Sequence, residues 1–169
     1  MENRTFSWYA IYVKSRHEGV AYGQLQKKGV ESYLPLVMKS RQWKDRRKMV
    51  EFPLFPGYLF VRVSPVPSEF VNVLKAKGVV SLICGEQGSP LPVPDREIDS
   101  LKIMMENGSN VDIYPSLKEG VRVMVRKGPL KGACGVIISK EGGYMLVVNI
   151  DILGRSIGVK VCAEDIDTV

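Results

Sequence analysis

The residues able to do chemistry in this chain are few, and most of them are cations. There is one histidine, His17. No pair of carboxylates stands at a meaningful spacing, and neither a P-loop nor a nucleophile elbow is present. A single imidazole next to Lys14 and Arg16 is better suited to meeting a phosphate than to acting as a general base. The chain is therefore read as a non-enzyme. Cys84, Cys134 and Cys162 are far apart and form no C-x-x-C pair, so neither a zinc site nor a disulfide framework is expected. No metal or cofactor is expected, and reduced thiols fit a cytoplasmic location.

The cations are unevenly spread. Residues 1–84 carry 14 Lys and Arg against 6 Asp and Glu, a net +8, whereas residues 85–169 carry 10 against 12, a net −2. The first half thus looks toward a polyanion, most simply nucleic acid. The competing reading is an ordinary solvated basic face. Lys14, Arg16 and His17 follow the first apolar run, and Lys75 and Lys77 close a short helical pattern. Residues 39–48, KSRQWKDRRK, hold Lys39, Arg41, Lys44, Arg46, Arg47 and Lys48 around Trp43. That stretch is too polar for a core and suits a hairpin tip.

A different chemistry is offered by PLFPGYLF, residues 53–60. Phe55 and Tyr58 flank a Pro-Gly turn that feeds into a strand. Rigid aromatics beside a turn bury large area at little entropic cost, as interface hot spots do; the alternative is that they are core. Strand alternation puts Phe60 on the same side as Tyr58, so exposing one and burying the other calls for local twist or a bulge.

The elements that must position these groups can be read from period and punctuation. SWYAIYVKS is a strand. A short helix follows, with Ala21, Tyr22, Leu25 and Gln26 on one side and Gly29 at its end. VESYLPLV is a strand interrupted by Pro35, and GYLFVRV is a strong strand. SEFVNVLKAKG spaces Phe70, Val73 and Leu74 as a helix face, VVSLICG is a strand, and PDREIDSLKIMMENG is a helix with Ile98, Leu101 and Met105 on one face. Then come the polar residues 108–118, read as a linker. Beyond them, GVRVMVRKG, GACGVIISK, GGYMLVVNID and IGVKVC are four β-branched runs punctuated by glycines, the pattern of a small β-barrel. The fold class is therefore α+β: a sandwich of mainly antiparallel sheet with helices (1–107), a linker (108–118) and a β-barrel (119–169). No signal peptide is recognised at the start, and no apolar run approaches the ~20 residues that span a bilayer.

EGVRVMVRKGPLKGACGVIISK resembles the KOW motif: a strand, Gly128-Pro129, an apolar residue, then Gly132 and Gly135 before the next strand. WYAIYVKSR, FPLFPGYLFV, KGVVSLICG and PLPVPDREIDSL together resemble the NGN domain of the NusG family, whose arrangement is NGN followed by KOW, the KOW part being an SH3-like barrel. EFPLFPGYLFV and NIDILGRSIGV are similar to the specialised RfaH- and UpxY-like antitermination branch.

The resemblance implies a transcription elongation or antitermination factor. Tyr12, Phe55, Pro56 and Tyr58 would face the clamp helices of the largest RNA polymerase subunit, and residues 69–72, EFVN, would lie near the gate loop. Lys14, Arg16, His17, Gln24, Lys75 and Lys77 would meet non-template DNA, and Lys44, Arg46 and Arg47 upstream DNA. Ile152, Leu153 and Arg155 would form the barrel's docking tip, read as an exposed apolar pair flanked by arginine, for a small-subunit ribosomal protein or Rho. A monomer with no membrane partner is expected. The competing function is a KOW-type RNA-binding or ribosome-associated module without polymerase contact. Glycine and β-branched content argue against a helical resting state of the second domain.

Overall fold

The aromatic, β-branched run at the N-terminus forms β1 (Ser7–Val13), as such residues do when both faces of a strand are covered. The computed structural model describes residues 4–107, 111–115, 120–140 and 142–168. After β1 come α1 (Glu18–Lys27), β2 (Glu31–Tyr33), β3 (Leu36–Gln42), β4 (Arg47–Pro53) and β5 (Tyr58–Val63). They are followed by α2 (Pro67–Leu74), β6 (Val79–Leu82), β7 (Pro92–Val93) and α3 (Asp95–Asn107). The remainder is β8 (Asp112–Pro115), β9 (Val121–Val125), β10 (Cys134–Lys140), β11 (Gly143–Ile150), a 3-10 turn (Asp151–Leu153), β12 (Arg155–Val161), a second 3-10 turn (Ala163–Asp165) and β13 (Ile166–Thr168). The expected α+β class is what the chain adopts.

Two compact units result, Met1–Pro92 and Val93–Val169. In the first, the sheet order is β2-β5-β1-β6. β1 and β5 pair antiparallel without interruption from Ser7↔Val63 to Tyr12↔Tyr58. One face of this sheet, Tyr9, Ile11, Val13, Leu59, Val61 and Val63, buries against Ala21 and Leu25 of α1 and Val73 of α2. On the other face Trp8, Ala10 and Phe60 are also buried. Burial of each large side chain contributes roughly 1.5–3 kcal/mol, so this unit has a core of its own. Pro35 breaks the second strand as expected, separating β2 from β3. The basic stretch is more ordered than a bare tip: β3 and β4 pair from Leu36↔Pro53 to Gln42↔Arg47, leaving only residues 43–46 to turn.

In the second unit the strand order is β13-β9-β10-β11-β12-β8, the small β-barrel expected. Its interior is built from Val123, Val125, Leu146, Val148, Ile150 and Ile157. The division of the chain differs from the sequence expectation in two ways. Part of the expected linker, Asp112–Pro115, is strand β8, in register with β12 from Arg155↔Pro115 to Gly158↔Asp112. Residues 108–110 and 116–118 of that stretch lie outside the described residues. Moreover, α3, expected with the first domain, packs on the barrel: the Ser100 hydroxyl accepts the Cys134 N–H at 2.9 Å. Its buried stripe is Ile98, Leu101 and Met104 rather than Met105, because the helix turns its Ser100 side toward β10 as well.

Candidate docking and nucleic-acid interface

The Phe55–Tyr58 turn sets the geometry of the first site. The Tyr58 N–H donates to the Phe55 carbonyl at 3.0 Å, with Pro56 second and Gly57 third at φ +86°. These are the residue requirements of a type II turn. The turn is then fastened twice. The Val13 N–H donates to the Gly57 carbonyl at 2.8 Å, and the Gly57 N–H donates to Glu18 Oε1 at 2.9 Å. Glu18 is itself buried, at 7% exposure. A Cβ at position 57 would stand 3.1 Å from Tyr12 Cε2, so glycine is needed for the tyrosine ring as well as for the φ angle.

Held this way, Tyr12 and Tyr58 face each other across the β1–β5 ladder, their ring centroids 5.5 Å apart and tilted by 53°. Tyr12 is 41% exposed, Tyr58 is half-buried and Pro56 is exposed. Phe55 corrects the sequence expectation. Its side chain is fully buried, edge-on to Phe60 at 6.4 Å. The turn uses Phe55, with Leu54 beside it, as an anchor, and offers Pro56 and the two tyrosines outward. Twist or a bulge is not what separates Tyr58 from Phe60. They share a face in continuous register, but Phe60 lies further along β5, opposite Ala10 and stacked near Tyr33, while Tyr58 lies at the strand end.

Glu18 had no sequence signal for this role, since its partner is 39 positions away. Replacing it with alanine leaves the Gly57 N–H buried and unpaired, which costs about 1–3 kcal/mol. We expect Glu18→Ala to lower the thermal midpoint of the first unit, measured by circular dichroism, while Glu18→Gln retains most of the stability.

The first basic group is assembled by the same strand end. The Lys14 N–H donates to the Gly78 carbonyl at 2.8 Å, and a Cβ on Gly78 would stand 3.1 Å from His17 Cβ. Lys77 therefore arrives beside Lys14 and His17. His17 Nδ1 donates to the Ser15 carbonyl at 2.8 Å, which leaves Nε2 for a partner. Arg16 adopts φ +60°, a conformation that costs a non-glycine residue roughly 1–2 kcal/mol. Lys14, Arg16, Lys75 and Lys77 are exposed, and His17 and Gln24 half-buried. Gln24 follows His17 by two helical turns and so shares its side of α1. Of residues 69–72, Val71 is exposed, whereas Phe70 packs edge-on against Tyr9 at 5.1 Å and Asn72 accepts from Lys28 Nζ.

The second basic group rides on the β3–β4 ribbon. Lys44 and Arg46 are in its turn and Arg47 opens β4, all exposed. The register puts Arg41 directly opposite Lys48, an unfavourable pairing of like charges. Lys48 Nζ lies over the Trp43 ring, 5.5 Å from its centroid, which holds the exposed indole.

In the second unit, Ile152 and Leu153 sit in the 3-10 turn that Gly154 ends at φ +61°. Both are half-buried, as is Arg155, so the tip is less protruding than the apolar pair expected. A cavity of about 380 Å³ lies between the start of α3 and the barrel, lined by Arg96, Glu97, Arg122, Cys134, Asn149 and Asp151 among others. Burial, with Asp151 alongside, pushes the Glu97 carboxyl up from 4.5 to about 7, against the pull of Arg96 and a backbone hydrogen bond from Asp151. Among the described residues no group of three or more His, Cys, Asp or Glu side chains is gathered as a metal site would need, and no helix is long and apolar enough to cross a membrane.

A sandwich presenting two tyrosines beside a basic strand end and a basic ribbon, joined to a β-barrel, is the build of a macromolecule-binding protein. Residues 6–102 match the family model of NusG, described as a transcription termination factor. That is more than half of the chain, which belongs to the NusG family. It is 24% identical over 178 residues to the transcription termination/antitermination protein NusG of Halalkalibacterium halodurans, covering 96% of this chain and 98% of that one. It is 26% identical over 166 residues to the protein of that name from Vibrio vulnificus, covering 90% of each. A solved structure titled "Domain interaction in Thermotoga maritima NusG" aligns over 98% of both chains at 23% identity with a TM-score of 0.48.

Proposed function

We propose that this chain is a transcription elongation factor of the antitermination kind, which docks on elongating RNA polymerase through Tyr12, Pro56 and Tyr58. The observation that carries the reading is the Tyr12–Tyr58 pair, one ring exposed and the other half-buried, fastened by a type II turn and the Glu18 bond. Two rings braced before a partner arrives lose little freedom on binding. The surface that such rings would meet is the clamp helices of the largest polymerase subunit. The closed, unpaused enzyme would bind the factor better than the open one and so become more populated.

Nucleic acid is the second partner of this reading. Lys14, Arg16, His17, Gln24, Lys75 and Lys77 would grip exposed non-template DNA through its phosphates, and Lys44, Arg46 and Arg47 would meet upstream DNA. The opposed Arg41 and Lys48 support this assignment, because a polyanion relieves their repulsion. Ile152, Leu153 and Arg155 on the barrel would dock a small-subunit ribosomal protein or Rho. The factor would work as a cytoplasmic monomer of the specialised RfaH- and UpxY-like branch.

In vitro transcription on paused templates tests the proposal. Adding the full chain should shorten pause lifetimes, and a pull-down should recover polymerase subunits. Recovery of ribosomal RNA without polymerase, with pausing unchanged, would replace this reading with that of an RNA-binding module.

A further inference from the structure

We propose that α3 is a proton-controlled clasp on the barrel, held more tightly when the Glu97 carboxyl is protonated and loosened when it is charged beside Asp151. The geometry is that of a latch. α3 is tied to the edge of β10 by the Ser100–Cys134 hydrogen bond, and Ile103 approaches Gly132. One turn earlier on the helix, Glu97 reaches the wall of the cavity beside the 3-10 turn at Asp151. Its Oε2 is buried with no hydrogen-bond partner. A buried, unpaired carboxylate oxygen beside a second carboxylate is costly when charged and tolerable when protonated.

The groups that face Glu97 do not cancel this. Arg96 on its own helix and a backbone hydrogen bond from Asp151 favour the charged form, but burial and then the Asp151 charge outweigh them. Arg122 from β9 is exposed, and Cys134 from β10 and Asn149 from β11 are the other polar side chains of a lining that is otherwise apolar or glycine. The docked carboxyl binds its proton more tightly, near pH 7, than the free one at 4.5. Docking is therefore strongest below the free value and weakens as the pH rises through about 7. A single proton gives roughly a tenfold fall in the docking constant between pH 6 and 8.

The consequence lies on the barrel tip. Asp151 begins the turn that holds Ile152 and Leu153, so release of α3 removes a carboxyl that abuts this turn. Whether that changes partner binding rests on the docking role proposed above for the tip. The clasp itself does not, and its test needs no partner.

Amide hydrogen exchange on the ¹⁵N-labelled full chain reads it directly. The protection factor at Cys134, corrected for intrinsic exchange, should fall about tenfold from pH 6 to pH 8, while Leu146 in the barrel interior holds steady. Glu97→Gln keeps the shape and removes the charge, so its Cys134 protection should not change with pH. Asp151→Asn, at an exposed position, should shrink the fall and decides the matter if the first variant folds poorly. A wild-type protection factor unchanged between the two pH values would overturn the clasp. So would a fall of the same size in both variants.

Discussion

Removing the two tyrosines should abolish polymerase binding without unfolding the protein. Tyr12→Ala and Tyr58→Ala each delete a ring that is at least partly exposed, at the end of a ladder whose backbone bonds stay intact. Hot-spot aromatics contribute roughly 2 kcal/mol or more to a protein interface, so each change should weaken binding by about 30-fold, and the double variant by more than 100-fold. Phe55→Ala is the contrasting case. It empties a site that is 0% exposed and should cost about 3–5 kcal/mol of stability, enough to lower the melting temperature of the first unit by more than roughly 10 °C. Fluorescence anisotropy with a labelled chain, run alongside thermal melts, separates the two effects. If the double tyrosine variant bound polymerase as tightly as the wild type, the docking surface would have to be sought elsewhere.

The same contrast shows where the sequence was legible. Pro56-Gly57 announces its turn, because few residue pairs accept that combination of φ angles, and β1, β5 and the barrel strands announce themselves by β-branched and aromatic runs. What the run PLFPGYLF does not encode is depth. Phe55 and Tyr58 have the same local chemistry; Phe55 is covered in a tertiary contact, edge-on to Phe60, whereas Tyr58 stands at a strand end opposite Tyr12. β8 reads as linker in the sequence for a related reason. A four-residue edge strand takes its identity from the partner that pairs with it, here β12, and not from its own short run DIYP. Charge alone marks the basic residues, but their grouping depends on Gly78, whose close approach to His17 and bond from the Lys14 N–H are tertiary facts. Glu18 and Glu97 gave no signal at all: a glutamate in the first turn of a helix is ordinary until its neighbours across space are known.

A second large stability effect is expected in the barrel, at Gly135. Its backbone φ is not in the left-handed region, so conformational freedom is not why glycine is there. A Cβ built on Gly135 runs into the Val147 carbonyl oxygen of β11 and comes within 3.2 Å of Leu146 Cδ1. The obstacle is backbone in a paired strand, which cannot swing aside as a side-chain end would. To admit even a methyl group, β10 and β11 must part beside their Val136↔Val147 pair. Overpacking of this kind typically costs 1–3 kcal/mol and more where the backbone has to move, a large share of the stability of a unit this size. Gly142 provides the comparison. Its φ is +81° with open space around the missing Cβ, so alanine there carries only the roughly 1–2 kcal/mol of a left-handed residue. Gly135→Val should therefore collapse the dispersed amide resonances of the barrel while those of Leu59 and Val61 persist, and Gly142→Ala should leave both sets in place. Since the first unit keeps its own core, the Gly135→Val chain should still bind polymerase and shorten pauses on a purified template, having lost only what the barrel docks. A variant that kept its barrel resonances would show that β10 and β11 can separate at little cost, and one that lost pause suppression along with them would show that the barrel takes part in the polymerase contact.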